Sequence, residues 1–545
     1  MQHRFTLELA FSNMDGLTLT SLDGADTIGG SKLLLEYDGH GALLDFGMNF
    51  ARTNRYYEEY IKPRSTTGLL DHVTMGTMPD VRGIYRRDLM HPNLVLTGKD
   101  VVRVDAVLLS HGHIDHSGDI GFLKRDIPVA TTAMTAAIVK ASEDCTRNEP
   151  GREPIYFVER DLREKRGAKL LCRSRGGILW RKYHLLDTAP TESLNEFWAF
   201  IPSHALKRRL DPAETVPAGL SHGLEGIDCE MMPVDHSIKG ACAFLLDTSK
   251  GRIVYTGDLR MHGLEQEMTR EFVSKARASK PYVMVIEGTR APGDREDDSS
   301  TSSSTTEGEV RETADLILSA VGGDLAIADF GPRNVERLEI FLDASRRSRR
   351  RLVVTAKDAY LLHAMHIVDP SVPIPGGDML VYDSPKGSTD KYEEWVVEHG
   401  YTDSLVRPTE VGRSPGDYLL SMSFYDMKHL IDIKPDRGHY IFSSSEAHNE
   451  EQIIDFIRLG RWLTRFGIRA HGFRIDEEEK PVFESEDGAL HASGHASAKD
   501  LTKMVREIDP EILIPVHTEN PKWFERTFSG ERKVILPKRY ETVVL

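Results

Sequence analysis

The run His111-Gly112-His113-Ile114-Asp115-His116 sets three imidazoles and a carboxylate within six residues, directly behind the apolar stretch Val104 to Leu109. Imidazoles and carboxylates are neutral or anionic at pH 7, as the ligands of a hydrolytic zinc site must be. A loop at a strand's end can turn alternate residues toward one point, and Gly112 relaxes the backbone there. Neighbouring residues point apart, so one ion cannot easily collect all four groups. Two ions ~3.5–4 Å apart can share them. A polar surface loop is the weaker reading, because this cluster follows a buried strand.

The cluster cannot complete two sites alone. His236 follows a strand in Pro233-Val234-Asp235-His236-Ser237, Asp258 ends Tyr255-Thr256-Gly257-Asp258, and His517 ends Ile514-Pro515-Val516-His517. Singly, such strand-end residues are more often structural; combined with the first cluster they become ligand candidates. Asp45, in Leu43-Leu44-Asp45-Phe46-Gly47, is a candidate for orienting a ligand histidine or for capping its own turn.

The chain is too long at 545 residues for one ordinary core, so two or three domains are expected. An apolar share of 40% suits globular packing. No stretch reaches the ~18–20 apolar residues of a membrane helix, so no membrane partner is expected. The first residues, Met1 to Phe5, lack the apolar run of a secretory signal. The four cysteines, Cys145, Cys172, Cys229 and Cys242, are scattered, which argues against a disulfide framework and for a reducing, cytoplasmic setting. The net charge of -16 argues mildly against a nucleic-acid partner. Local distribution matters more. Arg346, Arg347, Arg349, Arg350 and Arg351 form a basic run, and between Arg147 and Lys182 eleven Lys/Arg face five Asp/Glu. Each is either a solvated face or a phosphate-binding surface, and the second could cover a substrate channel.

Strands are expected at Ser31 to Glu36 and Gly41 to Asp45, joined by the hairpin turn Asp38-Gly39-His40. Others are expected at Val104 to Leu109, Pro128 to Thr131, Cys229 to Pro233, Ala243 to Leu246, Ile253 to Tyr255 and Val283 to Ile286. Residues 146–226 lose this rhythm and read as an insertion. Pro292 to Gly308, rich in Asp, Ser and Thr, reads as an exposed loop. Helices at Val310 to Ala320 and Val335 to Ser345 then alternate with strands at Asp324 to Ala328 and Leu352 to Thr355, the pattern of a separate parallel-sheet domain. After it come isolated strands and a helix from Ala498 to Ile508.

Taken in order, these motifs resemble the metallo-β-lactamase fold. Three later features are similar to the ribonuclease J group of β-CASP nucleases: Glu287-Gly288-Thr289 after a strand, His491-Ala492-Ser493-Gly494-His495-Ala496-Ser497, and Pro515-Val516-His517-Thr518-Glu519. Ser443-Ser444-Ser445 resembles a serine run that the group places near its substrate. The resemblance implies an α/β architecture: a four-layered αββα metallo-β-lactamase domain (1–309, returning at 466–545) interrupted by a β-CASP domain (310–465). It implies two Zn2+ ions, with Mn2+ or Mg2+ as substitutes. His111, His113 and His236 would hold one ion, Asp115, His116 and His517 the other, and Asp258 would bridge them. Catalysis would use Asp115, Glu287 and His495. Ser493, Gly494, Ser497, His491, Ser443, Ser444 and Ser445 would meet substrate phosphate. The implied activity is 5′→3′ exonucleolytic RNA hydrolysis, with endonuclease activity possible. The implied substrate is single-stranded RNA with a 5′-monophosphate, and the implied assembly is a homodimer. Rival readings are a DNA nuclease, a thioesterase-like hydrolase on the same centre, or a non-catalytic RNA-binding subunit. Departures from the pattern are Gly288, Thr518 and the segment 146–226.

Overall fold

The computed structural model describes residues 16–58, 60–100, 103–146, 149–202, 226–293, 305–331, 333–444, 450–483 and 488–545. Two sheets carry the metallo-domain. The first runs in the order Tyr183–Leu185, Val129–Thr131, Ala106–Leu108, His40–Leu44, Lys32–Tyr37, Thr18–Asp23, Thr542–Val544. Its central hairpin turns at Asp38 and Gly39, whose φ angles of 49° and 79° suit a tight left-handed turn matched to strand twist. The second runs Cys229–Pro233, Cys242–Thr248, Gly251–Tyr255, Val283–Glu287, Ile512–Val516, Lys533–Val534.

Strand alternation sends one set of side chains into the space between the sheets. Leu33, Leu35, Leu44 and Leu108 from the first meet Phe244, Leu246, Tyr255, Val285 and Ile514 from the second in one buried cluster. Each such side chain contributes roughly 1.5–3 kcal/mol on burial. The opposite faces pack under helices: Ala133–Asp144 over the first sheet, and Gln266–Ser279 with Ala498–Ile508 over the second. This is the four-layered αββα arrangement. The strand ends that carry the histidines and acids all open at one edge of the sandwich.

The inserted domain is a seven-stranded, wholly parallel sheet in the order Leu405–Val406, Met379–Tyr382, Arg351–Val354, Tyr418–Ser421, Leu325–Asp329, Gly438–Phe442, Ile468–His471. Ile468–His471 pairs with Gly438–Phe442. The inserted domain therefore extends past the boundary expected at 465, because that short strand supplies the sheet's edge. The helix expected from Val310 begins at Glu307, where Thr306 and Glu309 form a capping box. Most of the loop expected before it lies outside the described residues.

The described part of residues 146–226 is also more integral than an insertion. Tyr183–Leu185 is the edge strand of the first sheet, parallel to Val129–Thr131. The basic character between Arg147 and Lys182 is partly structural. Arg160 pairs with buried Glu153, and Arg181 donates to the carbonyls of Leu123, Ile127 and Pro154. The hairpin Arg160–Lys165/Ala168–Arg173 leans on Thr66, Asp88 and His91 of its own domain. Much of the run at 346–351 is spent likewise. Arg346 and Arg347 pair with Asp378 and Asp315, and buried Arg350 donates to the carbonyls of Asp324 and Tyr418.

The two domains are locked by buried charge. Arg260, two residues past Asp258, pairs with Asp235, Glu307 and Glu336. Arg337 pairs with Glu307 and donates to the Ser443 hydroxyl at 2.6 Å and the Leu490 carbonyl at 3.2 Å. Lys140 and Tyr360 both meet Asp144. Removing one partner of such a network leaves an uncompensated buried charge, costing about 3–5 kcal/mol. The network fixes the segments on which His236 and Asp258 sit.

Candidate metal centre and the cleft beside it

Two groups of ligand atoms converge at the sheet edge. In the first, His111 Nε2 and His236 Nε2 lie 3.1 and 3.2 Å from His113 Nδ1. In the second, His116 Nε2 lies 3.0 Å from Asp258 Oδ2 and 3.8 Å from Asp115 Oδ2, and His517 Nε2 lies 3.3 Å from Asp115 Oδ2 and 3.7 Å from Asp258 Oδ2. Asp258 Oδ2 also reaches within 3.8 Å of His111 Nε2, so it touches both groups. A tetrahedral ion with bonds of about 2.0–2.1 Å separates its ligand atoms by about 3.3 Å, so these edges fit a metal. Asp258 Oδ1 is buried with no hydrogen-bond partner, and His116 Nε2 has no well-aligned one, an arrangement that a cation resolves. The structure thus brings together all seven residues expected as ligands.

Four of the ligand histidines, His111, His116, His236 and His517, are held from behind. Asp45 accepts from His116 Nδ1 at 2.7 Å, the Ser110 hydroxyl at 2.7 Å and the Tyr255 hydroxyl at 2.6 Å. Ser110 Oγ in turn lies 3.0 Å from His111 Nδ1. His236 Nδ1 donates to the Gly494 carbonyl at 2.6 Å, and His517 Nδ1 meets Thr289 Oγ1 at 2.9 Å. Such contacts fix tautomer and ring direction. Asp45 and His517 take left-handed backbone conformations, φ 58° and 52°, which cost energy outside glycine and cluster at functional sites. Gly29 is required by contact: a Cβ there would stand 2.9 Å from Asp115 Cβ.

Burial pushes His111 and His236 well below the usual imidazole range, with the neighbouring histidines adding to the effect. Burial also takes His113 down to about 4. These three are neutral and ready to ligate at pH 7. His116 goes the other way: burial opposes its charge, but Asp258, Asp115 and Asp45 together raise it well above the ordinary value. Asp115 and Asp258 are held low despite burial, chiefly by His116.

Glu287 ends its strand with its carboxylate fixed by the backbone N–H groups of Leu259 (3.2 Å) and Thr289 (3.1 Å). His495 Nδ1 faces it at 3.2 Å. Burial disfavours charge on His495, but Glu287 outweighs it and lifts the imidazole to about 9. His495 also lies 3.9 Å from Asp258, beside the ligands without belonging to either main group.

The expected phosphate-binding set is only partly delivered. Ser497 is the N-cap of helix Ala498–Ile508, its hydroxyl exchanging bonds with Asp500, so its task is helix capping. The His491 ring nitrogens lie 2.9 and 3.0 Å from the carbonyls of Ser444 and Gly472, so the ring ties the returning chain to the inserted domain. Ser443 Oγ is occupied by Arg337 and the Leu490 carbonyl. Ser444 gives its carbonyl to His491, and Ser445 lies outside the described residues. Ser493 stays by the centre, its hydroxyl accepting from His495 N–H at 3.2 Å. Gly494 packs so closely on Ser237 that a Cβ would meet its Oγ at 2.5 Å. Sequence reasoning missed Ser110, Tyr255 and Thr289 as supports, although each neighbours a chosen motif. It also missed Arg333 and Lys357, which line a cavity of about 300 Å³ opening from His113 between the domains.

Comparison with known proteins agrees with this geometry. Residues 73–164 match the Beta-lactamase superfamily domain, and residues 489–535 match the Zn-dependent metallo-hydrolase RNA specificity domain. The chain is 20% identical to Ribonuclease J of Pyrococcus abyssi over 92% of its own length and 90% of that protein. It is 22% identical to Ribonuclease J of Mycobacterium tuberculosis (strain CDC 1551 / Oshkosh) over 92% of its length and 69% of that protein. Together with the fold, these matches support a ribonuclease J-like β-CASP nuclease. The same similarities support a metal-dependent hydrolytic nuclease. A crystal structure of a protein of unknown function from Enterococcus faecalis V583 shares the fold, with a TM-score of 0.62 and 22% identity over 97% of this chain and 100% of that one. A shorter similarity, 27% identity over 27% of this chain and 20% of its relative, links it to the transcription termination factor FttA of Pyrococcus abyssi. Among the described residues, no helix is long and apolar enough to cross a membrane.

Proposed function

We propose that this chain is a two-zinc ribonuclease that removes nucleotides from the 5′ end of single-stranded RNA, prefers a 5′-monophosphate, and works in the cytoplasm as a homodimer. The observation that carries the reading is the Glu287–His495 pair, set against Asp258 where the two ligand groups meet. A small-molecule hydrolase on the same centre has no task for that pair or for the cleft between the domains.

His111, His113 and His236 would hold one ion and Asp115, His116 and His517 the other, with Asp258 available to both. When bound, the pair supplies Lewis acidity and an activated water. The protein's own residues do the rest. Glu287 fixes His495 through Nδ1 and keeps it protonated. His495 then gives its remaining ring proton to the departing 3′ oxygen, assistance worth roughly 10²–10⁴-fold. Asp115 serves as ligand and holds His517 in place. Ser493 shapes the loop that presents His495. The four cysteines, all free, fit a reducing compartment.

The test is digestion of end-labelled RNA carrying a 5′-monophosphate or a 5′-triphosphate, beside single-stranded DNA and a thioester. Sequential release from the monophosphorylated RNA is expected. Equal cutting of DNA, or turnover of the thioester alone, would replace the proposal with one of its rivals.

A further inference from the structure

One wall of the interdomain cavity carries His113 and Ser237; the other carries Arg333, Asn334 and Lys357. A neighbouring cavity of about 110 Å³ shares Arg333 and Lys357 and continues toward Gly118 and Arg152. Arg333 lies in the turn between strand Leu325–Asp329 and helix Val335–Arg347, whose N-cap is Asn334. The helix therefore opens its partially positive end on the same cavity.

The contrast with the other arginines of the domain junction is sharp. Arg260 and Arg337 are saturated by carboxylates and carbonyls. Arg333 donates to the Ser142 hydroxyl at 3.1 Å, and among the described residues neither it nor Lys357 has a carboxylate partner within ion-pair distance. Asp358, also on the cavity wall, is turned to its helix cap, accepting from the Thr355 hydroxyl at 2.8 Å. A guanidinium offers five donors in a planar fork. Left half-buried with one neutral acceptor, it is matched only when an anion arrives. Its field reaches the centre: it helps to lower His113, and Asp115 acts back on it. Divalent ions in the centre would make the cavity more positive still, which favours a polyanion as its occupant.

We propose that Arg333 and Lys357 form a clamp on the RNA backbone, gripping the phosphate next to the one being cleaved. This rests on the ribonuclease reading. The clamp lies on the inserted domain and the ions on the metallo-domain, so a bound strand is held from both sides of the cleft.

Fluorescence anisotropy with a cleavage-resistant phosphorothioate single-stranded RNA tests the clamp in Arg333→Gln, Lys357→Gln, the double variant and Arg333→Lys, with bound metal measured on each. Arg333→Gln should weaken binding about tenfold, and Arg333→Lys should recover part of the loss. The double variant should flatten the dependence of log affinity on log salt by about 1.4, roughly 0.7 for each cation removed. Metal content should stay unchanged. An unchanged affinity and slope in the double variant, while the unmutated protein binds RNA, would overturn the clamp alone. Loss of metal in Arg333→Gln would overturn it too, making Arg333 a support of the ligands. If the unmutated protein binds no RNA, the ribonuclease reading falls and the clamp with it.

Discussion

The two ligand groups lie side by side, yet their chemistry differs. His111, His113 and His236 form a neutral cage, kept uncharged by burial. Asp115, His116, Asp258 and His517 form a charged one, in which Asp258 and Asp115, with Asp45 behind them, favour the protonated form of His116. An ion entering the first displaces no proton at neutral pH. An ion entering the second must expel one. Acidification from neutral pH should therefore strip the charged cage of its ion before the neutral one.

The largest effect tests what the groups share. Asp258→Ala should empty both groups and reduce nucleotide release to the level of the metal-stripped protein, read by elemental analysis beside the digestion. A variant keeping one full equivalent of metal would show that Asp258 serves a single group. Next comes His495→Ala, which should keep both ions while turnover drops roughly 10²–10⁴-fold. Loss of an ion there would make His495 a ligand, an option that its place beside His236 and Asp258 makes worth excluding.

Asp45→Asn separates the groups. Asp45 accepts from His116, so the variant should weaken the charged group's ion about 10–100-fold and spare the other, as seen in competition with a chromogenic chelator. Equal weakening of both ions would mean that Asp45 acts through Ser110 and His111 instead. The smallest effects concern pH. As pH falls, the charged group should lose its ion first, by about tenfold in affinity for each unit while one proton is exchanged. In the proposed mechanism the protonated form of His495 is the active one, so the alkaline side of the rate profile should report it. Glu287 raises that imidazole, so Glu287→Gln should move the alkaline limb about 1–3 units toward lower pH. A limb that stays put would assign the titration to another group.

Much of this was legible in sequence because strand ends and ligands coincide. Cys229–Pro233 and the helix Ala498–Ile508 fall where apolar periodicity puts them, and all seven candidate ligands follow runs that form strands, wholly buried in Ala106–Leu108 and Ile512–Val516. Phosphate contacts were less legible, since Ser, His and Gly in a motif also serve caps and tethers. Ser497 caps a helix and His491 ties two segments, and only the three-dimensional partners show it. Charge was misleading for the same reason: Arg350 and Arg181 sit in basic runs but satisfy buried carbonyls. Arg333 stands alone in sequence, and nothing local marks it. The edge strand Ile468–His471 was missed as a part of the inserted domain because four residues carry too short a pattern to assign a sheet.

The most direct test of the two-ion ribonuclease is a single digestion of 5′-monophosphorylated, 3′-labelled RNA by protein loaded with two equivalents of zinc. Progressive shortening from the 5′ end, abolished by chelation and restored by added zinc, is the expected result. Intact RNA in the presence of a fully loaded centre would contradict it.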